Sequence, residues 1–176
     1  MKKVSDIHAI KIIFFITACY VGLWAIRIPT IKDQLQTDYV GVGYIMLSFA
    51  IGSIVAMIFA NALILKTSTK SILTCTLIAE GCLWLPVPFI QELWLFMVFS
   101  FVFGMSYGAF EIACNVYASN LEVREKKSMM SGFHAFWSLG VLFGSLITSF
   151  LLEWNYSFIF NILLYVIILL PLSLYF

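Results

Sequence analysis

Charged side chains are scarce in this sequence. Lys, Arg, Asp and Glu make up 11% of its 176 residues, whereas hydrophobic residues make up 62%. A soluble domain carries about 25% charged residues. The composition therefore excludes an ordinary soluble protein and indicates an integral membrane protein. The net charge of +1 gives no indication of a nucleic-acid partner, and we predict none.

Cysteine is also sparse, and its spacing does not suggest a reactive site. The four cysteines lie in apolar runs, and no two of them have Cys-x-x-Cys spacing: Cys19, Cys75, Cys82 and Cys114. This pattern indicates neither a disulfide framework nor a metal site. We expect the cysteines to be packing residues, and we predict no metal and no cofactor.

A nucleophile motif is missing as well. No Gly-x-Ser-Gly is present, and His134 and Ser138 lie one turn apart on one predicted helix. A serine dyad needs its two groups to meet across helices beside an oxyanion hole. We therefore predict that the chain is not an enzyme.

Apolar sequence is abundant and falls into six segments. A membrane-spanning helix needs about 20 such residues, so we predict an all-α membrane protein, a single bundle of six transmembrane helices. The segments cover about 10–28, 41–65, 71–89, 93–119, 131–152 and 157–175. No small-residue cleavage site closes the first segment, so we expect it to be an uncleaved span rather than a signal peptide.

The positive charges are distributed unequally between the two sides of the predicted bundle. Arg27 and Lys32 fall on one side, and eight others fall on the opposite side: Lys2, Lys3, Lys11, Lys66, Lys70, Arg124, Lys126 and Lys127. Cytoplasmic loops carry the excess of Lys and Arg. We therefore expect both termini to be cytoplasmic, which agrees with an even number of spans, since that number puts both ends on the same side. The short loops suit the inner (plasma) membrane of a bacterium.

Small residues recur at nearly every fourth position of three predicted helices. Such stripes let helix backbones approach closely, so we expect tight packing along them. The stripes are Ser48, Gly52, Ala56 and Ala60, then Ser100, Gly104 and Gly108, then Gly132, Gly140, Gly144 and Thr148.

A weak internal repeat relates the first and fourth helices. When residues 22–35 are laid on residues 108–121, a glycine, an aromatic residue, an isoleucine and a leucine coincide. The two helices would cross the membrane in opposite directions, so the match predicts an inverted repeat of three helices plus three. Chance similarity is the alternative.

Two polar residues stand out inside the fourth apolar segment. Glu111 and Asn115 are four residues apart and therefore share one helix face. A charged side chain at the bilayer centre costs about 2.5–3.5 kcal/mol on insertion scales. We interpret Glu111 as a proton-binding carboxyl and Asn115 as a substrate ligand. Helix–helix hydrogen bonding is the alternative for both.

Other polar and aromatic side chains are secondary candidates. Glu80 is a second intramembrane carboxyl, and Arg27 either reaches the interface or pairs with an acid during gating. His134 could bind substrate or relay a proton. Four deep aromatic residues could stack on a substrate ring: Tyr20, Trp24, Tyr107 and Trp137.

These features resemble the N-terminal half of a major facilitator superfamily transporter. Residues 111–115, Glu-Ile-Ala-Cys-Asn, are similar to the acid-x-Ala-x-Asn pattern in the fourth helix of the sugar-porter-like branch that includes fucose permease. Residues 131–140 resemble the start of the fifth helix in that family, and residues 22–29 resemble the end of its first. The resemblance implies proton coupling at Glu111, with Asn115 in support.

The chain departs from the family pattern in three ways. In the loop between the second and third helices, Lys66 and Lys70 keep the positive charge of a gating motif, but Leu65 and Ser68 replace its acid and glycine. The first helix has no Asp or Glu. The family works with twelve helices, so the resemblance implies a second six-helix half, in another chain or a C-terminal part.

The prediction is a half of a secondary active transporter. We expect it to be proton-coupled, to carry a sugar or similar small polar solute, and to contact lipid, solute and protons. Two alternatives stay open: a truncated or structural membrane protein without transport activity alone, and a drug or metabolite exporter of the same superfamily.

Overall fold

The computed structural model describes the backbone of residues 2–174 and the side chains of residues 6–59, 64 and 66–172. Six α-helices fill this part of the chain: α1 (Lys2–Gln34), α2 (Tyr39–Lys66), α3 (Thr69–Trp84), α4 (Leu93–Glu125), α5 (Met130–Glu153) and α6 (Phe158–Leu174). A 3₁₀ turn, Val87–Phe89, precedes α4.

The helices have the length and composition of membrane spans. Within the described residues, five are long and apolar enough to cross a bilayer, and the sixth is a shorter apolar helix, Phe158–Leu172. The prediction of an all-helical, multi-pass membrane protein is thus confirmed.

Several helix ends differ from the ends of the apolar segments. α1 continues through Pro29 to Gln34, and α4 continues to Glu125. Hydropathy marks only the apolar part of a helix, and these ends carry polar side chains that extend past it. α3 ends at Trp84 rather than near residue 89. Pro86 and Pro88 follow, and proline lacks the amide donor and disfavours helical geometry in the residue before it.

The bundle is built around two closely packed helix pairs. α2 packs along α4, and α1 packs along α5, with far less contact between α1 and α2 or between α1 and α4. α3 covers α4 and α6. The connections between successive helices are short, so neighbours in sequence run antiparallel and each closely packed pair runs parallel.

Glycines make the α2–α4 crossing possible. A Cβ atom built at Gly104 would overlap the carbonyl oxygen of Phe49, and one built at Gly108 would overlap that of Ser53. Gly52 in turn lies against the carbonyl of Phe101. The close approach expected from the small-residue stripes is therefore present here.

The α1–α5 crossing also depends on glycines that allow close contact between the backbones. Gly140 lies against the carbonyl oxygen of Phe15, and Gly144 lies against that of Cys19. Gly22 of α1 lies against the backbone of Val141 on α5. Gly132 belongs to the same stripe, but a Cβ there would meet nothing within 4 Å.

The buried core forms two clusters along the bundle. One joins the first half of α1 to α3, the end of α4 and the start of α5, and includes Ile13, Leu73 and Phe133. The other joins the second half of α1 to the end of α3, the start of α4 and α6, and includes Leu23 and Phe96. The cavity described next is lined by residues of α1, α2, α3 and α4.

Candidate functional site

A cavity of about 260 Å³ lies between the first four helices. It occupies the region where the two close helix pairs separate from one another. Its lining residues are Tyr20, Val21, Trp24, Met46, Phe49, Glu80, Trp84, Ser100, Phe103 and Tyr107. This is a concave, mainly apolar site with few polar groups, as small-molecule sites usually are.

Aromatic rings form a continuous wall around the cavity. Trp84 is central to it, with ring centroids 6.1 Å from Tyr20, 6.1 Å from Trp24 and 5.8 Å from Phe103. Phe49 extends the wall, at 5.9 Å from Phe103 and 5.4 Å from Tyr107. These spacings are those of interacting aromatic pairs, so the rings brace one another.

Glu80 places a carboxyl group in this aromatic wall. The residue is only 5% exposed, and it forms no ion pair with any residue whose side chain the structure describes. The Thr17 hydroxyl on α1 lies beside the carboxyl, but the two groups do not reach hydrogen-bond geometry. A buried carboxylate without a partner is unfavourable, so this group needs a proton or a cation.

The cavity wall contains few other polar groups. Ser100 is a buried hydroxyl on α4. Tyr20 and Trp84 are fully packed, and the Tyr20 hydroxyl and the Trp84 indole nitrogen have no hydrogen-bond partner within the described residues. Buried polar atoms normally have such partners, so this side of the wall has unused hydrogen-bonding capacity.

Glu111, the leading candidate from the sequence, lies outside the cavity lining. Its side chain is half-buried. Asn115 donates a hydrogen bond of 2.9 Å to the backbone carbonyl of Glu111, which holds the amide against its own helix. The structure therefore brings Glu111 and Asn115 together, but not around the cavity.

Tyr107 is the connection between the two carboxyl groups. It lines the cavity, and its hydroxyl lies within electrostatic range of both Glu111 and Glu80. The sequence-predicted residues Trp24 and Tyr107 thus belong to the cavity, together with Glu80.

His134 and Trp137 on α5 lie elsewhere. His134 is exposed and meets the ring of Phe14 edge-on, with centroids 5.4 Å apart. Trp137 packs against the core cluster near the start of α5. Neither residue lines the cavity of this six-helix bundle.

Arg27 is buried rather than extended to the interface. It is 2% exposed, and its Nε donates a hydrogen bond of 3.0 Å to Asn161 Oδ1 on α6. An Nη2 donor lies 3.3 Å from the carbonyl oxygen of Tyr156, and the guanidinium lies 5.3 Å from the Phe158 ring centroid. Arg27 pairs with neither Glu111 nor Asp33 here.

The charged loops lie at the helix ends, away from the cavity. Lys66 and Lys70 are exposed around the α2–α3 connection. In the last turn of α4, Glu122 accepts hydrogen bonds from the backbone amides of Met129 and Met130 at the start of α5. A carboxylate is favourable at a helix N-terminus, so this contact fixes the loop.

The sequence did not indicate several lining residues as candidates for the site: Met46, Phe49, Trp84 and Phe103, with Ser100 noted only as part of a packing stripe. Most are ordinary aromatic or apolar residues of a membrane helix, and no local signal marks them. Within the described residues, no group of three or more His, Cys, Asp or Glu side chains could hold a metal ion.

Comparison with known proteins gives a consistent result. The sequence profile of the Major Facilitator Superfamily matches residues 12–176. An uncharacterized MFS-type transporter of Yersinia pestis is 28% identical over 145 residues, which are 81% of this chain and 37% of that protein. An uncharacterized transporter of Sinorhizobium fredii is 25% identical over 141 residues, 75% of this chain and 35% of that protein. The chain thus spans little more than a third of these curated relatives. No solved structure matches.

Proposed function

We propose, from the premise that this chain belongs to the major facilitator superfamily, that it forms one half of a proton-coupled secondary transporter for a small organic solute. Membership of this superfamily supports a role in transport rather than an enzymatic one. The observation that carries the proposal is the cavity of about 260 Å³ enclosed by residues of α1, α2, α3 and α4, with the Glu80 carboxyl in its wall. Secondary transporters hold their substrate near the bilayer midplane.

A second six-helix half completes the proposed transporter. Alternating access requires two halves that rock around a central site, and the matched relatives are much longer than this chain. We propose that the half-exposed face of α5, with His134 and Trp137, lies toward that second half.

The inverted repeat is part of the proposal and has support from the helix crossings. The alignment that lays Gly22 on Gly108 also lays Phe15 on Phe101. Phe15 and Phe101 each offer a carbonyl oxygen to a glycine of the partner helix, and Gly22 and Gly108 each lie against a partner backbone. Equivalent contacts in the α1–α5 and α4–α2 pairs are what a 3+3 repeat predicts.

Proton coupling is proposed to involve both intramembrane carboxyls. Glu111 is half-buried and can exchange protons with the surroundings, whereas Glu80 faces the cavity. Tyr107 lies within electrostatic range of both, so a proton could pass from Glu111 toward the site. We propose that Arg27, bound to α6, holds the bundle together, and that Lys66 and Lys70 act at a cytoplasmic gate.

That the solute is a sugar remains a prediction. Trp24 and Tyr107 offer ring faces for stacking, but the lining contains few groups that could bond several hydroxyls. An exporter of a drug or metabolite fits an aromatic cavity equally well, and direction of transport follows from the coupling experiment below.

The test is a proton-flux assay in proteoliposomes. The chain is reconstituted alone and together with a second six-helix half of the same superfamily, with a pH-sensitive dye inside. Solutes are added under an imposed proton gradient. We expect solute-dependent proton movement only in the complete protein, and its loss in Glu111→Gln and in Glu80→Gln.

The control variant is Glu153→Gln, which removes an exposed carboxyl at the end of α5. It should keep the wild-type flux. Unchanged coupling in both Glu111→Gln and Glu80→Gln would contradict the proton-coupling proposal. Transport that needs no proton gradient would favour a facilitator instead.

A further inference from the structure

We infer that the cavity binds a small organic cation, such as an amine or quaternary ammonium compound, with Glu80 as its counter-charge and the aromatic wall around its head group. The inference rests on the proposed function, because it takes the cavity as the solute site. It goes further by naming the chemical class of the solute.

Charge is the first argument. Glu80 is the one carboxyl group in the lining, which contains no Lys, Arg or His, and no such side chain among the described residues pairs with it. A buried carboxylate is normally paired. A positively charged solute would neutralise the Glu80 carboxylate, whereas the lining contains no positive charge that could neutralise an anionic solute.

The aromatic wall is the second argument. The faces of Trp, Tyr and Phe attract cations placed within about 6 Å of a ring centroid, and aromatic cages of this kind hold quaternary ammonium groups. Trp24, Trp84 and Tyr107 surround the same space as the Glu80 carboxyl. A sugar or another neutral polar solute has no positive charge, so it would interact only weakly with the Glu80 carboxylate and with the ring faces.

The cavity also excludes a metal ion as the natural occupant. Hard cations such as Ca²⁺ take six to eight oxygen ligands, whereas the lining supplies one carboxyl group and a few hydroxyls. Its volume of about 260 Å³ is slightly below the 300–1,000 Å³ of drug-sized sites. A small amine with one apolar substituent fits these dimensions.

Competition with the proton follows from the same arrangement. A single carboxyl can be neutralised by a proton or by the bound cation, so the two exclude one another. The titratable groups facing Glu80 are the phenols of Tyr20 on α1 and Tyr107 on α4, which are neutral at physiological pH. Glu111 is not part of the cavity lining. Glu80 therefore decides the pH dependence of binding.

The experiment measures binding of tritiated benzyltrimethylammonium to the 176-residue chain in lipid nanodiscs between pH 5 and pH 8.5. Binding should strengthen as pH rises, by about tenfold per pH unit over the range where the carboxyl is protonated, because one proton leaves for each cation bound. Neopentylbenzene, in which carbon replaces the charged nitrogen, should displace the cation at least tenfold less well.

Variants separate the cation site from general packing. Glu80→Gln should weaken binding at least tenfold and abolish its pH dependence, whereas Glu153→Gln should change neither. Trp24→Leu keeps an apolar side chain but removes a ring, so it should weaken cation binding several-fold and preserve the pH dependence. If Glu80→Gln does not fold, the pH series and Trp24→Leu still decide the question.

Two outcomes would overturn the inference. One is binding that is independent of pH in the unaltered chain, and the other is a neutral isostere that binds as well as the cation. Displacement by a neutral hexose together with proton-driven hexose transport would overturn the cation site and leave the proposed function standing. Cation binding in a complete protein that moves no protons would overturn the proposed function and leave the cation site standing.

Discussion

Arg27 illustrates how a single buried side chain can hold two helices. Its guanidinium joins α1 to α6 through Asn161, the carbonyl of Tyr156 and the ring of Phe158. The planar fork of arginine suits this combination of hydrogen bonds and ring contact, and lysine cannot reproduce it. The Asn161 amide nitrogen has no hydrogen-bond partner within the described residues, so the arginine holds this side chain through the amide oxygen alone.

Arg27→Lys should therefore destabilise the bundle. We expect a loss of about 1–3 kcal/mol in the free energy of unfolding, because the buried Asn161 loses its partner and the new ammonium is left poorly bonded. Chemical denaturation in detergent, followed by circular dichroism, measures this change. Lys32→Gln is the control, since Lys32 pairs with the exposed Asp33 at the helix end. Equal stability of both variants would show that the α1–α6 contact is dispensable.

At the residue scale, the sequence identified the unusual groups but not their surroundings. Glu80 and Glu111 were both recognisable as intramembrane carboxyls from hydropathy alone. Which of them faces the cavity depends on how α3 and α4 are rotated about their axes. A period of 3.6 residues shows which side chains share a face, but it does not show which neighbour that face meets. The buried Arg27 escaped prediction for the same reason, since Asn161 lies far away in sequence.

At the scale of helices, glycine controls how closely the backbones approach. The stripes in α4 and α5 were predictable from their spacing, and the structure uses them at the α2–α4 and α1–α5 crossings. Only the structure shows which of these glycines contact the backbone of a neighbouring helix and which do not. Gly104 is pressed against Phe49, whereas Gly132 has open space around it.

Gly104→Ala and Gly132→Ala form a matched pair of variants. The Gly104 variant would place a methyl group against backbone, which cannot move aside as a side chain can, so we expect a cost of about 1–3 kcal/mol from overpacking. Gly132→Ala should leave the melting temperature unchanged or raise it, because alanine is the better helix former. Thermal melts of both variants in the same detergent make the comparison. Equal melting temperatures of the two variants would contradict the explanation that Gly104 is needed for close packing.

At the scale of the whole molecule, the orientation in the membrane is a prediction from charge. The α4–α5 loop carries Arg124, Lys126 and Lys127, and Arg124 forms an ion pair of 2.7 Å with Asp6 near the start of α1. The loop between α1 and α2 is short, and few positive charges lie near it. The positive-inside rule then places the α4–α5 loop in the cytoplasm.

Reporter fusions within the two loops test this orientation. Alkaline phosphatase joined after Asp38 should be active, because that enzyme folds only outside the cytoplasm, whereas a fusion after Lys127 should be inactive. Green fluorescent protein at the same positions should give the opposite pattern and serves as the control. The reverse pattern at both sites would invert the proposed topology, along with the assignment of Lys66 and Lys70 to a cytoplasmic gate.

The unequal packing of the helices has a mechanical consequence. The α1–α5 and α2–α4 pairs are each joined by glycine-backed backbone contact, while the contact between the pairs is slight. The helix backbones therefore meet within each pair, whereas side chains, including the aromatic wall of the cavity, fill the space between the pairs. A molecule that enters the cavity contacts both helix pairs at once, so the occupancy of the cavity and the angle between the pairs must change together.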